Sequence, residues 1–219
     1  MQVGVIGVGR MSKAMARNLL KAGHRLHVFN TAKEPLQELG KAGAAIAASA
    51  KDTFKGDAVI SMLPNDDTMR AVFVQGDVLP AGGTSTIHVN MATASVACAE
   101  ELTTLHRQRG VPYVTATVWG RPNMAAAAKL SIAVAGDAKA IDGIQPLLDA
   151  VGQRSTRVGD ESRMANVAKT CGAGKLTRPP CASTGTRACG RAPSKCSRSS
   201  WHSSAAHSPR PECRSPARQ

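Results

Sequence analysis

The N-terminal segment of the chain joins an aliphatic run directly to a glycine turn and an amphipathic helix. Residues 3–8 are rich in valine and isoleucine, Gly7 and Gly9 are spaced for a tight turn, and apolar residues then recur at helical intervals up to Gly23, the predicted C-cap. This order predicts a buried parallel strand whose turn approaches a pyrophosphate on the N-terminus of the following helix. The alternative is a tight turn without a ligand. The residues predicted to contact a dinucleotide at this turn are Gly7, Val8, Gly9, Arg10 and Met11.

Ser12 occupies the third position of this pattern, where glycine is usual. That position serves close packing of the helix on the strand and does not contact phosphate. We therefore expect the dinucleotide-binding turn to survive the serine, with some loss of packing closeness.

Patterns typical of strands and helices alternate along residues 1–160. The predicted strands are 3–8, 25–30, 44–46, 57–63, 85–89, 111–118 and 130–135. The predicted longer helices are 10–22, 35–41, 65–74 with Asn65 or Asp66 as its cap, 95–109, and one from Asp137 to about residue 151. Repeated β-α-β order is typical of α/β proteins. The predicted fold is thus a Rossmann-type, doubly wound, mostly parallel sheet with helices on both faces, formed by residues 1–160, and a further helix begins within 161–170.

The composition changes after residue 170. Residues 171–219 contain nine of the 28 Lys and Arg residues, one acidic residue, five of the six cysteines and half of the 12 prolines. So few large apolar side chains cannot offset the roughly 1–2 kcal/mol of conformational entropy lost per ordered residue. We predict a disordered basic tail, which could bind polyanions nonspecifically.

Several classes of protein are disfavoured by the sequence. No apolar run reaches the roughly 18 residues of a membrane span, and the N-terminus lacks the features of a secretory signal, so a cytoplasmic protein without membrane association is expected. The tail cysteines have no C-x₂-C spacing, which argues against a metal site. With Trp201 as the tail's only aromatic residue, specific nucleic-acid binding is not indicated. His88 and His106 are predicted to be structural or surface residues.

A succession of motifs resembles the β-hydroxyacid dehydrogenase superfamily. The motifs are GVGRM at 7–11 with AMARNLLKAGH at 14–24, VISMLP at 59–64, VNMAT at 89–93, ATVWGRP at 116–122 and MANVAK at 164–169. The family includes 3-hydroxyisobutyrate dehydrogenases, 6-phosphogluconate-dehydrogenase-like proteins and imine reductases. The sequence GRP at 120–122 is more similar to the imine-reductase-like branch. The resemblance extends from residue 1 to about residue 172.

The resemblance implies roles for individual residues. Lys169 matches the family's catalytic lysine, a general acid or proton relay, whereas without the family pattern it would be a surface lysine. Leu63 and Pro64 would line the cofactor site; the alternative is that they only end a strand, but their place after a buried strand favours the cofactor site. The residues implied to bind substrate are Ala92, Thr93, Trp119, Gly120 and Asn166, of which Thr93 would also lie near the nicotinamide. Family members are usually homodimers.

The chain also departs from the family pattern. Asn90 and Ala92 replace the family's Asp and Ser, and Trp119 replaces a Ser, so hydroxy acids of the usual type are placed in doubt as substrates. The tail stands where the family has a helical domain that completes the active site. Its composition suggests out-of-frame translation, and we therefore expect a frameshift near residue 170; an uninterrupted reading frame at the locus would contradict this.

Cofactor choice is predicted from the end of the second strand. NAD sites usually place an acidic residue there to bind the ribose 2′-hydroxyl. Here Asn30, Thr31 and Lys33 could instead bind a 2′-phosphate, which favours NADP over NAD. Two observations weaken this preference. Lys33 could equally be a solvated lysine at a helix start, and the family's NADP enzymes often have Arg where Thr31 stands.

The sequence as a whole predicts an NADP(H)-dependent oxidoreductase that transfers hydride to or from a small hydroxy acid, carbonyl or imine. One alternative is an inactive NADP-binding fragment. A second is polyanion binding through the basic tail.

Overall fold

The computed structural model describes residues 1–172. Eight strands form a single sheet in the order β3-β2-β1-β4-β5-β6-β7-β8. The strands are β1 Gln2–Ile6, β2 Arg25–Phe29, β3 Ala45–Ile46, β4 Ala58–Ser61, β5 Ile87–Asn90, β6 Tyr113–Trp119, β7 Leu130–Gly136 and β8 Gly152–Gly159. The helices are α1 Arg10–Lys21, α2 Lys33–Lys41, α3 Asp66–Met69, α4 Val96–Arg109, α5 Pro122–Ala126, α6 Ala138–Val151 and α7 Met164–Cys171, with a 3₁₀ turn at Lys51–Lys55 and a π-helical turn at Arg70–Gln75.

Strand direction follows the predicted class, with one reversal. Strands β1 to β6 are mutually parallel, β7 is antiparallel to β6, and β8 is parallel to β7. The chain changes direction across the sheet between the neighbouring strands β1 and β4, and open α/β sheets bind ligands at such a switch point. The prediction of a doubly wound, mostly parallel α/β fold is confirmed.

Alternating strand residues divide the core between the two faces of the sheet. In β4, Ile60 belongs to an apolar cluster with residues of α1, α2 and α6. Its neighbour Val59 belongs to a second cluster with residues of the 3₁₀ turn, the α3 region and α4. Because both faces are covered, the strands are apolar almost throughout, as is typical of parallel sheets.

Two of the three side-chain helix caps, Asn65 and Asp137, were predicted from the sequence, whereas Ser95 was predicted as the first residue of its helix and is its cap. The side chains of Asn65, Ser95 and Asp137 accept backbone N–H bonds from Thr68, Cys98 and Ala140 at 2.9, 3.1 and 3.1 Å. The predicted helix 65–74 is α3 continued by the π-helical turn, which begins at Arg70.

Some predicted boundaries were wrong. Strand β1 ends at Ile6, because Gly7 and Val8 already belong to the turn, and the C-cap of α1 is Ala22 rather than Gly23. Gly23, the residue after this cap, has a φ of +83° and lies in the turn that leads from α1 to β2. Strand β8 was not predicted at all.

The predictions of disorder and polyanion binding fall on a tail that, from residue 173 onward, lies outside the described residues. Within residues 1–172, no helix is long and apolar enough to cross a membrane. In the same part of the chain, no three His, Cys, Asp or Glu side chains are grouped to hold a metal ion.

Candidate functional site

A cleft of about 780 Å³ opens at the carboxyl ends of β1, β2, β4 and β5. Ten of the eleven predicted cofactor residues line this cleft, together with the predicted substrate residue Ala92. They are Gly7, Val8, Gly9, Arg10, Met11, Asn30, Thr31, Leu63, Pro64 and Thr93. The exception is Lys33, which is exposed at the first turn of α2 and is not in the cleft lining.

The glycine turn has the geometry that its sequence predicts. Gly7 has a φ of +86°, and a Cβ added there would lie 2.6 Å from the Met62 carbonyl oxygen. Only glycine can take that conformation so close to β4. A Cβ added at Gly9 would have no atom within 4 Å, so the space in front of this residue is open.

Two polar side chains hold the turn in place. The Ser12 hydroxyl accepts a hydrogen bond from Gly9 N at 2.8 Å and donates one to Gly7 O at 2.6 Å. The side-chain oxygen Oδ1 of Asn30 accepts a hydrogen bond from Val8 N at 3.0 Å, and its side-chain nitrogen Nδ2 donates one to Ala32 O at 3.1 Å. Ser12 therefore holds the glycine turn through its hydroxyl in addition to packing closely, and the sequence motif alone did not indicate this role. Asn30 ties the end of β2 to the turn.

These hydrogen bonds determine which backbone N–H groups of the turn remain available to bind an anion. The N–H groups of Val8 and Gly9 are bonded to side chains, so the amides left for an anion are those at the start of α1, from Arg10 onward. This first turn contains no acidic residue. The positive end of the helix dipole thus faces the open space before Gly9, which fits the pyrophosphate of a dinucleotide.

A second group of predicted residues lies where β6 ends beside α7. The Lys169 ammonium donates to Val118 O at 2.6 Å and lies 4.4 Å from the centroid of the Trp119 ring. Partial burial lowers the pKa of Lys169 from its ordinary value. We call Trp119, Asn166 and Lys169 the lysine cluster.

Asn166 connects the lysine cluster to the cleft. It is fully buried, and its side-chain oxygen accepts from Ala94 N at 2.9 Å, one residue after Thr93 of the cleft lining. Among the described residues, its amide nitrogen and the indole nitrogen of Trp119 are the buried side-chain polar atoms without a hydrogen-bond partner. The lysine cluster therefore offers N–H donors without protein acceptors. Gly120 follows Trp119 with a φ of +148°, and a Cβ there would lie 2.6 Å from a Leu130 methyl group.

A third set of polar side chains lies beneath the cleft. We call Ser61, His88, Asn90, His106 and Tyr113 the histidine cluster. His88 Nδ1 lies 2.6 Å from His106 Nε2, His88 Nε2 lies 2.8 Å from Ser61 Oγ, and His106 Nδ1 lies 2.6 Å from Leu102 O.

The partners of the two histidines determine their tautomers. Leu102 O can only accept, so His106 carries its proton on Nδ1 and accepts at Nε2. His88 then donates from Nδ1 and accepts the Ser61 hydroxyl proton at Nε2. Burial, reinforced by His106, lowers the pKa of His88 well below its ordinary value, and burial lowers the pKa of His106 to about 4. Both rings are neutral, and their predicted structural role agrees with their burial.

Comparison with known proteins adds to this geometry. Residues 2–159 match the family described as the NAD binding domain of 6-phosphogluconate dehydrogenase. An uncharacterized oxidoreductase of Bacillus subtilis, YfjR, is 40% identical over 171 residues, which are 77% of this chain and 60% of that protein. The NAD-dependent L-serine dehydrogenase of Pseudomonas aeruginosa is 36% identical over 172 residues, 78% of this chain and 57% of its own length.

Solved structures show the same fold. The Mycobacterium tuberculosis 3-hydroxyisobutyrate dehydrogenase, solved with L-serine, superimposes with a TM-score of 0.73 at 29% identity over 78% of this chain and 58% of its own. Imine reductases at 21–24% identity, with TM-scores of 0.71–0.72, share the fold alone. The chain thus spans less than two thirds of the length of these relatives. With its glycine turn, its cleft and the match over residues 2–159, it belongs to the family of the 6-phosphogluconate dehydrogenase NAD-binding domain.

Proposed function

We propose that this chain binds a nicotinamide dinucleotide and transfers hydride to or from a small hydroxy acid, carbonyl or imine. The observation that carries the proposal is the cleft, in which the glycine turn, the N-terminus of α1 and the Leu63–Pro64 and Thr93 walls meet at one sheet edge. A relative named as an oxidoreductase and another named as a dehydrogenase support the reaction class.

In this proposal, each part of the cofactor has its own set of contacts in the cleft. The amides of Arg10 and Met11 would bind the pyrophosphate, and Thr31 with the Leu63–Pro64 wall would contact the adenosine half. Thr93, one residue from Ala94, would lie toward the nicotinamide and the lysine cluster. When bound, the nicotinamide supplies or accepts hydride.

Lys169 is the proposed proton donor. Hydride arriving at a carbonyl or imine carbon places negative charge on its oxygen or nitrogen, and an ammonium held nearby can protonate that atom. The partial burial that lowers the pKa of Lys169 makes this proton easier to release. The N–H groups of Asn166 and Trp119 would bind acceptor atoms of the substrate, with Ala92 and Gly120 leaving room beside them.

NADP is the preferred cofactor in this proposal. The end of β2 carries no acidic residue to bind a ribose 2′-hydroxyl, and Lys33 stands three residues after Asn30. The side-chain amide of Asn30 is already bonded to Val8 and Ala32, so the proposal gives the contact with a 2′-phosphate to the Lys33 ammonium. The relative named NAD-dependent argues the other way, so the preference requires direct measurement.

Fluorescence titration of the full chain with NADPH and NADH tests binding and preference together. We expect tighter binding of NADPH, and we expect Lys33→Ala to weaken NADPH severalfold while leaving NADH unchanged. Lys41→Ala, at the other end of α2, is the matched control. Equal affinities for the two cofactors would remove the NADP preference, and no saturable binding of either would overturn the proposed function.

Turnover of NADPH with a panel of small carbonyl compounds and imines, and of NADP⁺ with hydroxy acids, tests the chemistry. Lys169→Met should reduce kcat by about 10²–10⁴-fold with little change in cofactor affinity.

Binding without turnover is the second candidate. It is favoured by the observation that the chain spans 57–60% of the length of its relatives. Saturable NADPH binding with no turnover across the panel would select it.

A further inference from the structure

Trp119 is held by its neighbours on both a strand and a helix. It is the last residue of β6 and pairs with Ser131 of β7. Its side chain packs with Ala133 and Ala135 of β7 and Ala165 of α7. The orientation of the indole is thus determined by two strands and a helix.

Lys169 has a long side chain with four rotatable bonds, and two contacts restrain its end. Val118 O accepts one N–H of the ammonium at 2.6 Å, and the Trp119 ring centroid lies 4.4 Å from Nζ. Both partners carry partial negative charge toward the cation, because an indole presents the negative face of its quadrupole. Without the ring, a single carbonyl would hold the ammonium.

We infer that Trp119 is the positioning residue for Lys169: its ring face and the Val118 carbonyl together hold the ammonium where β6 ends beside α7. The catalytic consequence of this contact rests on the proposed function, but the contact itself does not. Trp119 then has two separable parts, since the ring face is occupied by Lys169 while the indole N–H remains without a protein acceptor.

The contact also affects the protonation of the lysine. Burial withdraws water from the ammonium and lowers the pKa of Lys169. A π face and a carbonyl replace part of that hydration and favour the cation. Removing the ring face without exposing the lysine should therefore lower the pKa further.

Two variants of similar volume separate these effects. Trp119→Phe keeps a π face and loses the N–H, whereas Trp119→Leu loses both. In the full chain, the pKa of Lys169 is measured by NMR titration of ¹³Cε-labelled lysine, with Lys169→Arg used to assign the signal and Lys139 as the internal control. We expect the pKa of Lys169 to be lower in Trp119→Leu than in Trp119→Phe by about half to one unit, with that of Lys139 unchanged.

Kinetics provide the second measurement. The pH dependence of kcat should move by the same amount between the two variants, whereas loss of the N–H in Trp119→Phe should raise the substrate KM without moving the pH profile. Equal pKa values for Lys169 in the two variants, or a higher value in Trp119→Leu, would overturn the inference. If Trp119→Leu does not fold, Trp119→Met replaces it in the same comparison.

The two proposals fail in different ways. A pKa difference in a chain without turnover would support the positioning role and reject the proposed reaction. Turnover with equal pKa values would support the reaction and reject the positioning role.

Discussion

The histidine cluster, which is buried, and the lysine cluster, which is partly buried, both lie beside β6, yet they differ in how completely their hydrogen bonds are made. Each ring nitrogen of His88 and His106 has a partner at 2.6 to 2.8 Å. In the lysine cluster, the N–H groups of Trp119 and Asn166 have none among the described residues. A completed network specifies one packing of the core, whereas unpaired buried donors are expensive unless a ligand uses them.

This comparison predicts that the two clusters respond differently to substitution. The largest effect on stability is expected for His106→Leu, which leaves the Nδ1–H of His88 buried without an acceptor. Such an orphaned donor typically costs 1–3 kcal/mol, so we expect the free energy of unfolding to fall by about 2 kcal/mol in urea denaturation.

The double variant His88→Leu/His106→Leu serves as the control for this expectation. It removes donor and acceptor together, so it should be less destabilised than the sum of the two single variants. Strict additivity of the three free energies would show that the histidines do not act as a pair.

Acid should lower the free energy of unfolding through the two histidines of the histidine cluster. Both folded-state pKa values lie below the ordinary 6.5, so the unfolded chain binds more protons as the pH falls below that value. The stabilisation is complete above about pH 6.5 and is lost as the pH falls toward the folded-state values, with a slope of up to about 1.4 kcal/mol per pH unit for each histidine.

Denaturation series between pH 7.5 and 5 measure this slope. The double variant should show a flatter dependence over the same range, because the carboxylates with lowered pKa values titrate mainly below it. The slope that remains there comes from His24, whose pKa is also lowered, mainly by partial burial. An unchanged slope in the double variant would assign the acid sensitivity to other groups.

A smaller effect on stability is expected in the lysine cluster. Asn166→Leu leaves the buried N–H of Ala94 without its acceptor, but it also removes a buried donor that is already unpaired. Because the two effects partly cancel, the free energy of unfolding should fall by only about 1 kcal/mol. Substrate KM should rise more than tenfold in the same variant, provided that the protein turns over. A loss of stability as large as that of His106→Leu, without a change in KM, would make the two clusters equivalent.

The smallest effect is expected at the glycine turn. Ser12→Ala removes two hydrogen bonds that hold the turn, each worth about 1 kcal/mol or less, and NADPH affinity should fall about fivefold by fluorescence titration. Asp137→Ala is the matched control, since it removes a cap at the opposite edge of the sheet and should lower stability without affecting NADPH affinity. An unchanged Kd in Ser12→Ala would mean that the turn is held without the hydroxyl.

Local chemistry explains which features could be predicted from the sequence. The glycine turn and the caps at Asn65, Ser95 and Asp137 depend on residues within a few positions of one another, and so their patterns are visible along the chain. The gathering of ten predicted cofactor residues into one cleft follows from parallel strands ending at a common edge.

Other features depend on contacts between distant residues. Strand β8 is an edge strand with the exposed charged residues Arg154 and Arg157, so it lacks the apolar run of a buried strand. The bond from Val8 to Asn30 and the pairing of His88 with His106 join residues 22 and 18 positions apart, and no local pattern indicates them. The position of Lys169 was predicted through the family resemblance, because nothing in its local sequence distinguishes it from a surface lysine.

The single reversal at β7 determines which end of the sheet the last helix reaches. Because β7 runs against β6 and β8 runs with β7, the chain leaves β8 at the edge opposite the cleft. Helix α7 then runs back along β6, from beside Tyr113 at the start of that strand to Val118 near its end, with Lys169 in its final turn. Had β7 been parallel to β6, β8 and α7 would each have run in the opposite direction. The same helix would then have carried Lys169 away from the proposed cofactor cleft. One antiparallel strand thus determines that the end of α7, with the proposed proton donor Lys169, lies at the same end of the sheet as the cleft.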